Sequence, residues 1–201
     1  MGFTSRSISI FRYRVKGELE GSFWDAVDDG VKKGAYKEYE SGDVVAIGWT
    51  SIEDFTDSEF QRSSYAYGSY VALGLRIDTI RVPSKILEVH FKAESRKLLQ
   101  ETGRRRLSNA QSREIKEALR ERLKQSMLPS IQVFEMMWHT NEGIVYFGSH
   151  SIKARERFED HFKKSFGLNL RPLIPYVRAQ ELLDTTSQKL LEDVQPCIMV
   201  P

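Results

Sequence analysis

Pro83 and Pro129 bracket the stretch that most constrains this chain. Between them the residues take up a helical pattern twice, with one break at Gly103-Arg104-Arg105-Arg106. Proline is accepted in the first turn of a helix and ends one that runs into it, so two helices joined at Gly103 are predicted. The first has apolar positions at Ile86, Val89, Phe91, Ala93, Leu98 and Leu99. Ser108 is placed to cap the second, with Gln111 three residues on completing a capping-box pattern. Ile115, Leu119, Leu123 and Met127 then recur at strict i+4 spacing until Leu128-Pro129 stops the run.

Charge is segregated around this pair. From Arg81 to Lys124 there are 13 Lys and Arg against 6 Asp and Glu, whereas residues 1–60 have 7 against 12. The formal net charge of +2 therefore hides an acidic front and a basic middle. On a 100° wheel Arg113, Lys116, Arg120 and Lys124 fall within about 80° of one another, beside the apolar stripe. Lys85, Lys92, Arg96, Lys97, Arg104, Arg105 and Arg106 precede them. A solvated face explains one such helix. Repetition over two helices and their hinge is the footprint of a polyanion-binding surface. A helix of about 19 residues spans about 28 Å, the phosphates of roughly eight base pairs. Few Asn or Gln residues interleave the arginines, and no zinc finger, basic zipper or helix-turn-helix pattern occurs, so phosphate contacts without sequence preference are expected.

The flanks read as small sheets, each covered by a helix. Ser7 to Val15 alternates as a strand, and Phe23, Trp24, Val27 and Val31 form a short helix closed by Gly34. Val44 to Trp49 and Tyr65 to Ile77 are predicted strands. Beyond Pro129, Ile131–Trp138 and Ile144–Phe147 flank the turn Asn141-Glu142-Gly143. Ser149 or Ser151 starts a helix through Ile152, Phe158, Phe162 and Phe166, ended by Gly167. Pro172 and Pro175 push Leu168–Tyr176 toward a sheet edge, and Arg178–Val194 has a moderate helical pattern. The expected class is α+β, with an N-terminal unit (1–80), a basic helical arm (81–129) and a C-terminal unit with a helical tail (130–201).

Candidate chemistry is sparse. The single cysteine, Cys197, permits neither an internal disulfide nor a Cys-based metal site. His90, His139, His150 and His161 show no ligand pair on one helix turn, although His139 and His150 could meet near the hairpin. Glu18, Glu20, Asp25, Asp28 and Asp29 could serve a two-metal nuclease only by converging within a few ångströms, and a solvated acidic edge is the favoured reading. No phosphate-loop, dinucleotide-binding or serine-elbow motif is present. No catalytic residue, metal or cofactor is expected. No apolar run reaches the roughly 20 residues of a membrane span, and Met1–Arg6 lacks the apolar core of a signal peptide, so a cytoplasmic protein is expected.

The order Phe11-x-Tyr13-Arg14-Val15, Gly48-Trp49, Val82-Pro83-Ser84, Gly103–Leu107, Ile115-Lys116-Glu117 and Leu128-Pro129, then Trp138, Gly143 and Pro172-Leu173, resembles the RdgC family of recombination-associated proteins. The similarity runs from about residue 8 to residue 176. It implies a non-enzymatic, nucleoid-associated, ring-shaped homodimer whose basic inner surface encircles duplex DNA without sequence preference and that antagonises the RecA recombinase. A metal-dependent exonuclease is the alternative. Two departures bear on this: Ser130-Ile131-Gln132-Val133-Phe134 stands where many relatives read Arg-Ala-Phe-x-Arg, and roughly the last third of longer relatives has no counterpart. A clamp open on one side is thus as compatible with the chain as a closed ring.

Overall fold

The computed structural model describes residues 2–3, 7–38, 45–184, 187–188, 191 and 193. Its elements follow the order β1 (Phe11–Lys16), α1 (Phe23–Lys33), β2 (Val45–Thr50), a 3-10 turn (Arg62–Ser64), β3 (Ala66–Tyr67), β4 (Tyr70–Thr79), α2 (Ser84–Thr102) and α3 (Asn109–Lys124). β5 (Ser130–His139), β6 (Ile144–Phe147), α4 (Ile152–Phe166), β7 (Asn169–Pro172) and α5 (Pro175–Leu182) complete it. The class is α+β, as the sequence indicates. The strands apportioned above to two sheets belong to one antiparallel sheet, in the order β2-β4-β5-β6-β1-β7 with β3 on β4. No helix among the described residues is long and apolar enough to cross a membrane.

Two compact units divide the chain: residues 1–35, 48–75 and 134–201 form one, and 36–47 with 76–133 the other. In the first, β1 lies between β6 and β7, pairing Tyr13 with Val145 on one side and Pro172 on the other. Tyr13, Val145 and Phe147 are fully buried with Phe158 and Phe162 of α4. Phe147 stacks on Phe158 at 4.2 Å between centroids. α1 packs on α4 because it is bare at the contact: a Cβ on Gly30 would lie 2.5 Å from the Phe166 ring. Gly34 does close α1, yet its φ of −91° is open to any residue; close approach, not backbone freedom, requires glycine there.

Several local signals appear as read. Gly143 turns the β5–β6 hairpin at φ +62°, and Ser151, of the two candidate caps, accepts from the Ala154 amide to start α4. β7 is a sheet edge, consistent with Pro172 in it. Other readings change. Residues 7–10 lie outside β1, and the single strand expected over Tyr65–Ile77 is a short hairpin turned at Gly68, with β4 running on to Thr79. Pro175 begins α5 rather than continuing an edge strand, so that helix starts earlier than Arg178 and ends at Leu182. Val44, Cys197 and most of the tail from 185 onward, including Leu190 and Val194, fall outside the described residues.

In the second unit, α2 and α3 form an antiparallel pair around buried Leu87, Leu119 and Leu123, with Val82, Phe91 and Ile115 packed against them. Leu87, absent from the predicted stripe, is the buried residue of α2, while Ile86 and Val89 are exposed. The inward line is Leu87, Phe91 and Leu98, one helical face at spacings of four and seven; charged Lys85 and Glu88 on either side of Leu87 mask it in sequence.

Candidate nucleic-acid interface

Local chemistry builds the scaffold of the basic surface. Gly103 ends α2 in the left-handed conformation at φ +64°, which a glycine adopts without penalty and which turns the chain sharply. Ser108 Oγ then accepts from the Gln111 amide (3.2 Å), and Gln111 Oε1 accepts from the Ser108 amide (3.1 Å). This reciprocal capping box satisfies two backbone donors and fixes where α3 begins.

The basic side chains distribute over three places. Lys85, Lys92, Arg96 and Lys97 lie on α2, Arg104, Arg105 and Arg106 in the turn, and Arg113, Lys116, Arg120 and Lys124 on α3. All but half-buried Lys124 are exposed. On α2, Lys85, Lys92 and Arg96 fall within about 40° on the wheel, with Lys97 turned away. Among the described residues, the ion pairs within these helices are Lys92–Glu88 and Lys124–Glu121, each at 2.7 Å. The Glu88 carboxyl is held below its ordinary range, by Lys92 first and with a contribution from Lys116. Such pairs at the surface contribute little stability, and among the described residues they leave Lys85, Arg96, Lys97, Arg113, Lys116 and Arg120 outside the ion pairs within these helices.

One part of the surface is concave. Arg113, Lys116 and Arg120 line a depression of about 430 Å³ on α3 together with Asn109, Ser112 and Glu117. Asn109, Arg113, Lys116 and Arg120 are spaced four, three and four apart, a single stripe along the helix. The Lys116 ammonium lies over the Phe91 ring at 4.8 Å, which holds its aliphatic stem on the α2–α3 seam and directs its charge. The three cations are legible in the sequence; Asn109 and Ser112 are not among its candidate residues, although Asn109 shares the stripe spacing.

The remaining candidate residues have separate roles. His139 Nδ1 accepts from the Glu142 amide, with its ring against Tyr70, whereas His150 meets Phe11 edge-on. His161 Nε2 donates to the Gly34 carbonyl at 3.0 Å, and burial holds its pKa below the ordinary value. Asp25 pairs with Arg62, and Asp28 accepts from Lys32 and Tyr65; these bonds hold the Asp28 carboxyl below its usual range, Lys32 contributing most. Glu18, Glu20 and Asp29 are exposed. Among the described residues, no three His, Cys, Asp or Glu side chains are grouped as a metal ion requires. Compared with known proteins, the chain matches no family model and no curated protein.

Proposed function

We propose that this protein binds DNA through phosphate contacts, without reading base sequence, and thereby modulates homologous recombination. The observation that carries the binding half is the α3 stripe: Arg113, Lys116 and Arg120 share one depression, exposed and on a helix whose start is fixed by a capping box. The three cations spread over about 10 Å of helix axis, a length along which a duplex strand presents about three phosphates. The exposed turn arginines 104–106 add positive charge between the helices, while the α2 stripe lies about 140° round that helix from the face packed on α3. The recombination half, with a homodimer and antagonism of a recombinase, rests on the ordered motifs that resemble the RdgC family.

Titration of labelled duplex DNA at several salt concentrations tests the binding. If about five basic side chains displace counterions, log K falls against log salt with a slope near −4 to −5. Affinity indifferent to salt refutes the reading. Changing Arg104, Arg105 and Arg106 to glutamine weakens binding to all sequences alike and leaves thermal stability unchanged, because these side chains are exposed. A loss confined to one sequence contradicts a phosphate-only interface.

A further inference from the structure

Three buried side-chain polar atoms lack a hydrogen-bond partner among the described residues: Ser95 Oγ, Arg155 Nε and Trp138 Nε1. Arg155 has other donor nitrogens and lies over the Phe11 ring at 4.0 Å, and a serine hydroxyl on a helix can rotate to a carbonyl of the preceding turn. Trp138 has no such recourse. Nε1 is its only polar atom, it is a donor only, and the residue is 2% exposed. Natural folds rarely leave such a group unpaired without a reason.

Trp138 also lines a pocket of about 390 Å³ in the first unit, with Val15, Leu19, Phe23 and Leu168 as apolar walls. Glu18 lies on the same pocket and is exposed, on a loop shaped by Gly17 and Gly21 at φ +109° and +77°. This volume lies within the range of small-molecule sites, and an apolar lining with few polar groups is their usual composition. The polar groups are complementary in kind. A ligand must bring an acceptor for the indole N–H and a donor for the Glu18 side-chain oxygens, on a body flat and apolar enough to lie among Phe23, Leu168 and Trp138. The N–H is buried, so a ligand in the pocket meets it only if a wall side chain moves aside. Half-buried Phe23, 5.3 Å from Trp138 between ring centroids, stands in the first turn of α1, where Ser22 makes no side-chain cap.

We propose that this pocket binds an uncharged planar heterocycle of the nucleobase kind, with donors and acceptors on its edge, either as a free nucleoside or as an unpaired base of a strand. It does not depend on the duplex-binding reading, because its residues belong to the first unit and the basic helices to the second.

The test is 15N–1H NMR of the full chain, in which Trp24, Trp49 and Trp138 give three indole signals and Trp138→Phe identifies the third. Millimolar adenosine, cytidine, guanosine or thymidine is expected to shift the Trp138 signal saturably. The Trp49 signal stays fixed, because its N–H is already bonded to Ser165. Toluene, which has no acceptor, leaves the Trp138 signal near its starting position. Glu18→Gln, at an exposed position that does not endanger folding, weakens the nucleoside by about fivefold, roughly the worth of one net hydrogen bond. A single-stranded oligonucleotide that moves the same signal where free nucleosides do not assigns the site to a strand, and the converse assigns it to a nucleoside. Absence of a saturable shift with every probe, or the same response to toluene, overturns the proposal, as does a nucleoside affinity unaltered by Glu18→Gln.

Discussion

The indole N–H of Trp49 donates to Ser165 Oγ at 2.8 Å, tying β2 to the last turn of α4, and Gly34 lies against both residues. The Ser165 hydroxyl in turn donates to the His161 carbonyl at 2.8 Å, so Trp49, Ser165 and His161 form one hydrogen-bonded chain whose first link crosses 116 residues of sequence. A Cβ on Gly34 would lie 2.6 Å from Trp49 Nε1 and would also clash with Ser165. Gly34→Ala is therefore expected to cost about 2 kcal/mol, the usual penalty of overpacking a rigid contact. Urea unfolding measures it; a variant as stable as the parent would show that the contact relaxes freely.

His161 makes the same region sensitive to pH. Its pKa is depressed in the folded state because burial disfavours the imidazolium, and the nearby Lys164 adds to this. Folded protein thus binds fewer protons than unfolded protein just below the ordinary histidine value of about 6.5. Stability is complete above that value and is lost as the pH falls through it. Thermal unfolding at pH 7.5 and 5.5 should show a lower Tm at the acid value. In His161→Gln, whose amide can still donate to the Gly34 carbonyl, the difference should shrink; an undiminished difference would assign the effect to other groups.

In the second unit, Asp78 is 1% exposed and accepts from Tyr36 Oη at 2.8 Å and from Arg76 Nε and Nη2 at 3.0 and 2.8 Å. The guanidinium also lies over the Tyr36 ring at 4.3 Å. Burial, reinforced by the Asp78 carboxylate, pushes the Tyr36 phenol up to about 12. Asp78→Asn leaves a guanidinium in a covered site without its counter-charge and should cost about 3 kcal/mol. An ultraviolet titration should find the Tyr36 phenol returning toward 10 in that variant. No change in either quantity would mean that solvent already screens the pair.

The capping box makes a narrower prediction. Ser108→Ala removes the acceptor for the Gln111 amide and should destabilise α3 by about 1 kcal/mol. Amide hydrogen exchange in the first turn of α3 should quicken while the β1–β6 amides keep their protection. Equal acceleration everywhere would mean that the cap supports the global fold instead.

Legibility followed the range of the interaction. Ser108 with Gln111, Gly103 and Gly143 were readable because a cap or turn is decided by residues within a few positions of one another. The α3 cations were readable because helical spacing by itself assigns a face. Leu87 was missed because its line is interrupted by charged neighbours, and Pro175 because proline is equally at home at an edge strand and in a first helical turn.

The sequence by itself determined the α+β class, the basic helical pair with its hinge and caps, and the segregation of charge, all of which depend on local spacing or composition. Only the tertiary structure decided that β1 lies between β6 and β7, that Trp49 reaches Ser165 and Tyr36 reaches Asp78, and that Trp138 keeps an unpaired donor beside a pocket. The physical reason is that strand pairing and buried hydrogen bonds are chosen among distant partners by close packing. A periodic pattern marks which face of an element is apolar, but it contains no information about which other face will cover it.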